Sequence, residues 1–300
     1  MAPATRIKYA TLWRQWVSYC KANSFSPLPA TSEVVSLFLA SLAAGGTRTT
    51  VPAASAAIAW HHTVAGFASP TGAPSVVAVV AGARRLLAAA PRRMKPFTVD
   101  LLRRLVRTLA DSVEFEKQRL LFYSVIAFFA CFRFSDMLQL KVENFTISDH
   151  LKIHLESSKC DQLRKGNDIL LAGLPDSDFC PVSVARKFLA LLSTCANFSS
   201  DVFVLSNVRK SPRGMDIMCS RLSNGALTRQ LRAALAPLVA DITKFSPHSF
   251  RSGGATAAAA GKTPRDLLKR HGRWKSDCVD TYIDVPKASR LSVSRTIAQQ

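Results

Sequence analysis

Residues 246–257 read Ser-Pro-His-Ser-Phe-Arg-Ser-Gly-Gly-Ala-Thr-Ala, and this stretch guides the interpretation of the whole chain. His248 and Arg251 are three residues apart and would share one face of a helix. Arg251 offers a planar fork of donors that suits phosphate oxygens. The six residues after Arg251 are all small, so this helix can be buried against close neighbours. By itself, such a pair is more often a surface histidine and arginine on an ordinary helix.

Three other regions carry polar or aromatic residues in comparable settings. Arg133 follows a very apolar helix, and Asp136 stands three residues further on. Lys159 lies in a polar, cationic loop that suits the tip of a β-hairpin. Trp274 follows the arginine of the HxxR pair by 23 residues, and Tyr282 comes eight residues later. Each has an ordinary structural reading alone (an ion pair, a solvated lysine, core or surface aromatics), but their order and spacing indicate one site.

Composition indicates a folded protein with a polyanionic partner. Hydrophobic residues make up 48% of the chain and charged residues 20%, which excludes a disordered protein. Lys and Arg number 40 against 20 Asp and Glu, and the net charge of +20 favours a nucleic acid or an anionic membrane surface. The longest apolar run, residues 125–132, falls well short of the roughly 20 residues that a membrane-spanning helix needs.

Cysteine usage and the opening residues predict an intracellular protein. The seven cysteines are odd in number, widely spread and without a CxxC pair, so neither a disulfide framework nor a zinc site is expected. The opening sequence MAPATRIKYA lacks the apolar stretch of a signal peptide. We therefore expect the protein in the nucleus of a eukaryote or in the cytoplasm of a bacterium.

Residues 1–90 predict a small all-α domain. Apolar periodicity and turn signals place four helices at about residues 5–22, 32–45, 50–65 and 75–89. Residues 91–97 then predict an extended basic linker, because two prolines bracket Arg92, Arg93 and Lys95. This linker is the predicted boundary between two domains.

Residues 98–287 predict a second domain, followed by a tail at residues 288–300. The pattern is helical through Phe129, and from Leu227 it is helical again. Between these parts it predicts short strands at 145–147, 152–155 and 169–171, a helix at 182–192 and a short apolar segment at 202–205. The weak apolar pattern of the tail leaves open whether it docks on a neighbouring molecule.

With these motifs the chain resembles the tyrosine recombinases, the phage-integrase and Cre-like family, and has a likeness to the recombinases of Crypton and DIRS mobile elements. The resemblance covers nearly the whole chain and implies a mainly α, two-domain fold. The N-terminal part would be a four-helix, SAM-like core-binding domain, and the C-terminal part a mainly helical catalytic domain with a small antiparallel sheet. The implied activity is site-specific DNA recombination or integration through a 3′-phosphotyrosine intermediate.

The resemblance also implies the site residues, in the chain order Arg133, Asp136, Lys159, His248, Arg251, Trp274 and Tyr282. In that order they would be the first catalytic arginine, the acid that follows it, the hairpin lysine, the HxxR pair, the residue at the His-or-Trp position and the nucleophile. Two features depart from the family pattern. Ala130-Cys131 stands where Thr-Gly is often found, and Trp274 precedes the tyrosine by eight residues where nine is common. Trp274 is preferred for the His-or-Trp position because its spacing of 23 residues from Arg251 fits the family. Arg273 and His271 are the alternatives for this position.

These residue types suit the attack of a tyrosine on a phosphodiester. Two arginines and a histidine can donate hydrogen bonds to the charge that gathers on the attacked phosphate. A tyrosine hydroxyl keeps its proton at neutral pH, and His248 is a candidate to accept it. Lys159 would protonate the leaving 5′ oxygen. The resemblance implies no metal and no cofactor.

Residues outside the site are candidates for contacts with double-stranded DNA, namely Arg48, Thr49, His62, Arg92, Arg93 and Lys95. In the family the third helix lies in the major groove, although a solvated loop and helix face would have a similar composition. Phosphate contacts would make binding salt-dependent and carry little sequence information, so no target sequence is predicted. The family implies a homotetramer on two DNA duplexes.

Two other functions stay open at this point. A domesticated DNA-binding protein could keep the fold without the activity, although the intact set of site residues argues against it. A type IB topoisomerase would use the same nicking and resealing chemistry to relax DNA without site preference.

Overall fold

The computed structural model describes residues 3–46, 49–88, 94–156, 166–212 and 214–284, with residues 290, 291, 294, 295 and 297. The chain divides into two compact units, Met1–Arg92 and Arg93–Gln300. Both units are mainly helical, and the second also carries two small antiparallel sheets. Within these described ranges no helix is both long and apolar enough to cross a membrane.

The N-terminal unit contains helices α1 (Pro3–Ala22), α2 (Ser32–Gly45), α3 (Thr50–Val64) and α4 (Pro74–Leu86). Their bounds lie within three residues of the predicted ones. Thr31 caps α2, because its hydroxyl accepts the Val34 amide at 3.5 Å. Pro74 begins α4, where the missing proline N–H costs no hydrogen bond. The core between these helices includes Trp16, Phe38, Leu39, Ile58 and Val76.

His62 is a core residue of this unit, which corrects its prediction as a DNA contact. The side chain is fully buried on α3. Its Nε2 accepts the amide of Ala30 at 3.0 Å, so Nδ1 carries the proton and donates to the carbonyl of Ile58 at 2.9 Å. His62 therefore fastens the loop between α1 and α2 to α3, and neither ring nitrogen is available to DNA in this structure. Helical periodicity alone could not distinguish the buried face of α3 from its exposed face.

The second unit begins with three helices, α5 (Val99–Leu109), α6 (Phe115–Phe129) and α7 (Phe134–Met137). Strands β1 (Phe145–Ile147), β2 (His150–Leu155) and β3 (Asn167–Ala172) form an antiparallel sheet in that order. Helix α8 (Pro181–Ser193) leads to strands β4 (Ser206–Ser211) and β5 (Gly214–Arg221). Helices α9 (Asn224–Leu235), α10 (His248–Ala260) and α11 (Arg265–His271) follow. All three predicted strands are present.

The β4–β5 hairpin is the element that the sequence prediction missed. Only Ser206 and Ile217 are buried in its two strands, so the alternation of apolar and polar residues is weak. The Ile217 amide donates to the carbonyl of Ala196 at 3.1 Å, and Arg119 donates to the carbonyl of Ser206 at 2.7 Å. Long-range backbone contacts therefore hold the hairpin in place. Pro212 and Gly214 form a turn signal that could have revealed it.

Helix α6 is the centre of the second unit. Every residue from 118 to 128 is buried, and α6 packs against α5, α8, α9 and α10. A helix that is buried on all sides needs neighbours on all sides, and these four helices supply them. The chain therefore leaves the end of α6 inside the protein, where residues 130–133 turn into α7.

Helix α10 approaches α6 closely because the buried face of α10 carries two glycines, which have no side chain to keep the backbones apart. A Cβ on Gly253 would overlap the carbonyl oxygen of Phe97, and a Cβ on Gly254 would overlap that of Phe128. Ser249, Phe250 and Ser252 are buried beside them. The predicted close burial of this small-residue helix is confirmed. The close packing of α10 against α6 places the start of α10 beside the end of α6.

The described cysteines are Cys20, Cys131, Cys180, Cys195, Cys219 and Cys278, and all six are free thiols. In the described part of the chain no three His, Cys, Asp or Glu side chains are placed to share a metal ion.

We expect His62→Ala to destabilise the N-terminal unit. The substitution leaves the Ala30 amide without its buried partner, which costs about 1–3 kcal/mol for an unsatisfied group. Urea unfolding of the full chain, followed by tryptophan fluorescence, measures this because Trp13, Trp16 and Trp60 lie in that unit. Val64→Ala is the control, since the Val64 side chain on the same helix is 66% exposed. Equal stability of the two variants would contradict a structural role for His62.

Candidate active site

Arg251 is a fully buried charged group of the site. Helix α10 begins at His248, which is exposed, and Arg251 follows one turn later with no exposed surface. The Arg251 Nη1 donates to the carbonyl of Cys131, and Nη2 donates to the carbonyl of Gly272 at 3.0 Å. Burial, together with the charges of Arg133 and Arg273, lowers the pKa of Arg251 to about 10. The group therefore stays charged at neutral pH despite its burial.

The carbonyl that receives Arg251 belongs to a tight turn after α6. Cys131 has a φ of +48°, the left-handed region that suits glycine and costs another residue roughly 1–2 kcal/mol. This is the position where the family often has glycine, so the departure in sequence keeps the backbone form. The Cys131 Sγ would lie 3.0 Å from a Cβ on Gly254, which shows how little space α10 leaves. The turn ends at Arg133, the N-cap of α7.

Asp136 contacts both the backbone amide and the guanidinium of Arg133. Its Oδ2 accepts the backbone amide of Arg133 at 3.1 Å and lies 3.9 Å from the Arg133 Nη1. The Asp136 side chain is 1% exposed, whereas 17% of the Arg133 side chain reaches solvent. The backbone of Arg133 is therefore fixed at the start of α7, while its side chain stays partly exposed.

The residues after α11 settle which side chain lies beside the tyrosine. The Arg251 guanidinium carbon is 4.1 Å from the ring centroid of Trp274 and 5.1 Å from that of Tyr282. The Trp274 and Tyr282 rings are 5.4 Å apart. Arg273 donates instead to Asp136 Oδ2 at 3.4 Å, and His271 Nε2 lies 2.6 Å from the carbonyl of Phe129. Of the three candidates, Trp274 packs against Arg251 and Tyr282.

Gly272 allows this placement of Trp274. A Cβ on Gly272 would overlap the six-membered part of the indole ring, so no larger residue fits without moving Trp274. Arg273 next to it has a φ of +58°, and this left-handed residue turns consecutive side chains to different neighbours. Trp274 is 4% exposed, and it shares a small apolar cluster with Cys131, Ala255, Leu268 and Val279.

Tyr282 is half-buried and follows a 3₁₀ helix, Asp277–Thr281. Thr256 on α10 donates to the carbonyl of Tyr282 at 3.3 Å and accepts the Asp284 amide at 3.0 Å. Arg265 on α11 pairs with Asp280 at 2.7 Å. These contacts tie the backbone of the tyrosine segment to two helices.

His248 completes the cluster from the start of α10. Its ring centroid lies 5.3 Å from that of Tyr282. Desolvation by surrounding atoms lowers the pKa of His248, and the positive charges of Arg251 and Arg133 lower it further. A histidine with a depressed pKa is neutral at pH 7 and can accept a proton from a neighbouring group.

Among the described residues, the site has more guanidinium groups than carboxylates, and it has unused donors. Arg133 and Arg273 share the carboxylate of Asp136, whereas Arg251 donates to backbone carbonyls and pairs with no carboxylate in the described part of the chain. Among the described residues, the buried Arg251 Nε and Trp274 Nε1 lack hydrogen-bond acceptors. Buried polar groups are normally paired, so donors left over in a positive site suit an anion such as a phosphate.

The structure brings together Arg133, Asp136, His248, Arg251, Trp274 and Tyr282, and the position of Lys159 lies outside the described residues. The predicted hairpin around Lys159 agrees with the pairing of β2 and β3, which runs up to Leu155 opposite Asn167. Sequence reasoning missed the contact between Arg273 and Asp136. Its only sequence signal was the position of Arg273 next to Trp274.

The predicted DNA contacts have different surroundings. Thr49 is exposed before α3, and it lines an open groove with Pro52, Ala53 and Arg84 on the N-terminal unit. Lys95 is also exposed. The predicted contacts Arg48, Arg92 and Arg93 lie outside the described residues.

Comparison with known proteins yields recombinases and integrases. No protein-family model matches the chain. An integrase/recombinase xerD homolog from Selenomonas ruminantium is 26% identical over 286 residues, covering 92% of this chain and 80% of the relative. This relative confirms the resemblance to the tyrosine recombinase and integrase family that the motifs indicated.

Solved structures of low identity show the same fold. The Tn1549 transposon integrase in complex with transposon right end DNA has a TM-score of 0.63 at 10% identity, covering 99% of this chain and 95% of that one. The XerH site-specific recombinase bound to palindromic difH substrate has a TM-score of 0.60 at 14% identity, covering 90% and 70%. A lambda integrase dimer bound to a COC′ core site has a TM-score of 0.56 at 16% identity, covering 97% and 73%.

We expect the His248 ring to titrate below the ordinary histidine value of about 6.5. Arg133→Gln should raise the midpoint by removing one of the charges that lower it. Since the folded state binds this proton less readily than the unfolded chain, protonation of His248 opposes folding as the pH falls below that value. NMR of the imidazole C–H groups across pH 5–8 measures the midpoint. Arg186→Gln, an exposed arginine that does not act on His248, is the control. A midpoint at or above 6.5 would contradict the assigned electrostatics.

Proposed function

We propose that this chain is a site-specific DNA recombinase or integrase that cuts and rejoins strands through a 3′-phosphotyrosine intermediate. The observation that carries this proposal is the packing of Tyr282 beside Arg251, Trp274 and His248 in a site with excess positive charge. A half-buried phenol next to unused cationic donors is the arrangement that attack on a phosphodiester requires. The likeness to the xerD homolog supports the same reaction.

In the proposed reaction, the Tyr282 oxygen forms a bond to the phosphorus of one strand, and the bond from phosphorus to the 5′ oxygen breaks. The attacked phosphate gathers negative charge on its nonbridging oxygens. Arg133, Arg251 and the unpaired Trp274 Nε1 are donors that can stabilise this charge. Removing one such donor typically costs about 2.7–4 kcal/mol of barrier, or on the order of 10²–10³ in rate. A 5′ hydroxyl then attacks the phosphotyrosine link, which restores the phosphodiester and the free tyrosine.

Two proton transfers accompany this step. His248 accepts the Tyr282 proton, a role supported by its depressed pKa and by the short distance between the rings. Lys159 protonates the leaving 5′ oxygen, a role that rests on the family resemblance and on its place between β2 and β3. Both protons return in the reverse reaction, so the cycle of cutting and rejoining is balanced and consumes no ATP.

The N-terminal unit serves as a core-binding domain for double-stranded DNA in this proposal. The net charge of +20 supports a polyanionic partner. Arg48 and Thr49 before α3, and Arg92, Arg93 and Lys95 in the linker, are the candidate phosphate contacts. By family resemblance, four copies of the chain act together on two DNA duplexes. Together they integrate DNA or exchange strands between the duplexes.

Tyr282→Phe should abolish the covalent complex without abolishing DNA binding, because only the nucleophilic oxygen is lost. The assay incubates the protein with nicked suicide fragments of pooled genomic or element-end DNA and detects a covalent adduct on a denaturing gel. Tyr9→Phe, which also removes one phenol oxygen, should leave the adduct unchanged.

Each other outcome of this assay identifies another function. Binding without an adduct in the native protein would mean a catalytically silent DNA-binding protein. An adduct that persists in Tyr282→Phe would mean a different nucleophile. Relaxation of supercoiled plasmids without site preference would point to type IB topoisomerase activity.

Lys159→Ala should slow cleavage by about 10²–10⁴, the usual contribution of a general acid. A substrate whose bridging 5′ oxygen is replaced by sulfur leaves as a thiolate and needs no proton. It should therefore be cleaved by Lys159→Ala at nearly the native rate, as measured by single-turnover adduct formation. Lys152→Ala is the matched control, since Lys152 is a partly exposed lysine on β2 that pairs with Asp168 at 2.7 Å. Equal slowing on both substrates would exclude Lys159 as the acid.

A further inference from the structure

Arg273 is a buried arginine that the proposed reaction does not use. Its side chain is 5% exposed, and its guanidinium carbon lies 4.5 Å from the ring centroid of Phe132. Its Nη1 donates to the carbonyls of Ala130 at 3.3 Å and His271 at 3.1 Å. Its Nη2 donates to Asp136 Oδ2 at 3.4 Å. Arg273 thus faces the turn after α6, whereas the adjacent Trp274 faces Tyr282.

Asp136 is shared between two arginines. A single oxygen, Oδ2, accepts the Arg133 amide at 3.1 Å and the Arg273 guanidinium at 3.4 Å, and it lies 3.9 Å from the Arg133 guanidinium. The other oxygen, Oδ1, has no hydrogen-bond partner among the described residues. Asp136 is therefore a buried carboxylate whose nearest buried counter-charge is Arg273, and Arg133 is its second.

The balance of charge around Asp136 affects the position of Arg133. A buried carboxylate without compensation attracts the nearest cation strongly, because the surrounding dielectric is low. If Arg273 were absent, Arg133 would be the remaining guanidinium beside Asp136. A full ion pair there would draw the Arg133 side chain toward Asp136 and away from a bound phosphate.

We propose that Arg273 is a positioning residue that neutralises Asp136 and so prevents the Arg133 guanidinium from closing onto Asp136, a movement that would take it away from the scissile phosphate. This inference rests on the proposed function, since it concerns how Arg133 is presented to DNA. Arg273 also connects the loop that carries Trp274 to the turn that carries Arg133. Two of the donors around the phosphate are therefore held in place by one buried guanidinium.

The experiment compares Arg273→Met, Asp136→Asn and the double variant by single-turnover formation of the covalent adduct at saturating DNA. Arg273→Met should slow cleavage by about 10- to 100-fold, the effect expected of a small displacement of a catalytic group, with little change in DNA affinity. Asp136→Asn removes the charge that draws Arg133 away, and its amide oxygen can still accept the Arg133 amide. The double variant should therefore cleave at least about tenfold faster than Arg273→Met alone.

A purely structural role for Arg273 predicts the opposite result. If Arg273 only filled space over Phe132, the double variant would be as slow as Arg273→Met or slower, and the proposal would be wrong. Arg273→Lys provides a second test that keeps the charge even if Arg273→Met does not fold. It should stay within about tenfold of the native rate, and a folded Arg273→Lys that is as slow as Arg273→Met or as Arg133→Gln would also overturn the proposal.

The adduct assay on the native protein distinguishes a failure of this proposal from a failure of the proposed function. A native protein that binds DNA but forms no adduct contradicts the proposed function, whatever the variants do. A native protein that forms the adduct, with no recovery in the double variant, contradicts only the role of Arg273. Thermal melting of each variant shows whether a slow rate comes from loss of the fold.

Discussion

The buried guanidinium of Arg251 is the contact on which the arrangement of the site depends. It donates to the carbonyl of Cys131 in the turn after α6 and to the carbonyl of Gly272 after α11, while its own backbone belongs to α10. Three segments that are distant in sequence are joined by one side chain. The Trp274 and Tyr282 rings then pack around that same group, so the position of the tyrosine is set relative to a buried cation.

Burying this charge is costly, and the surrounding fold compensates for it. An arginine without water must place its donors on carbonyls or carboxylates, and Arg251 uses two backbone carbonyls at the ends of helices. Those carbonyls are available because α10 lies close against α6, a contact that Gly253 and Gly254 permit. The excess of guanidinium groups over carboxylates remains, and it opposes stability until an anion binds. The site therefore gives up some stability for an excess of positive charge that suits an anion.

Sequence patterns predicted most helices and three strands, because these elements carry clear periodicity or caps. In the structure, Thr31 and Thr98 cap α2 and α5. The β4–β5 hairpin escaped prediction because only two of its residues are buried and because distant backbone groups hold it. His62 was misread because a helical histidine has no local signal for burial. Its role depends on Ala30, a residue from another part of the unit.

The sequence by itself determined the identity and order of the site residues, because HxxR, the isolated arginine and the tyrosine are local motifs with characteristic spacing. Only the tertiary structure decided that Trp274 lies beside Tyr282 while Arg273 pairs with Asp136. These two residues are neighbours in the chain, and a spacing rule that is uncertain by one position cannot separate them. The missing Cβ of Gly272 makes room for the Trp274 ring, and the left-handed backbone of Arg273 sends its guanidinium to Asp136, which lies 137 residues earlier in the chain.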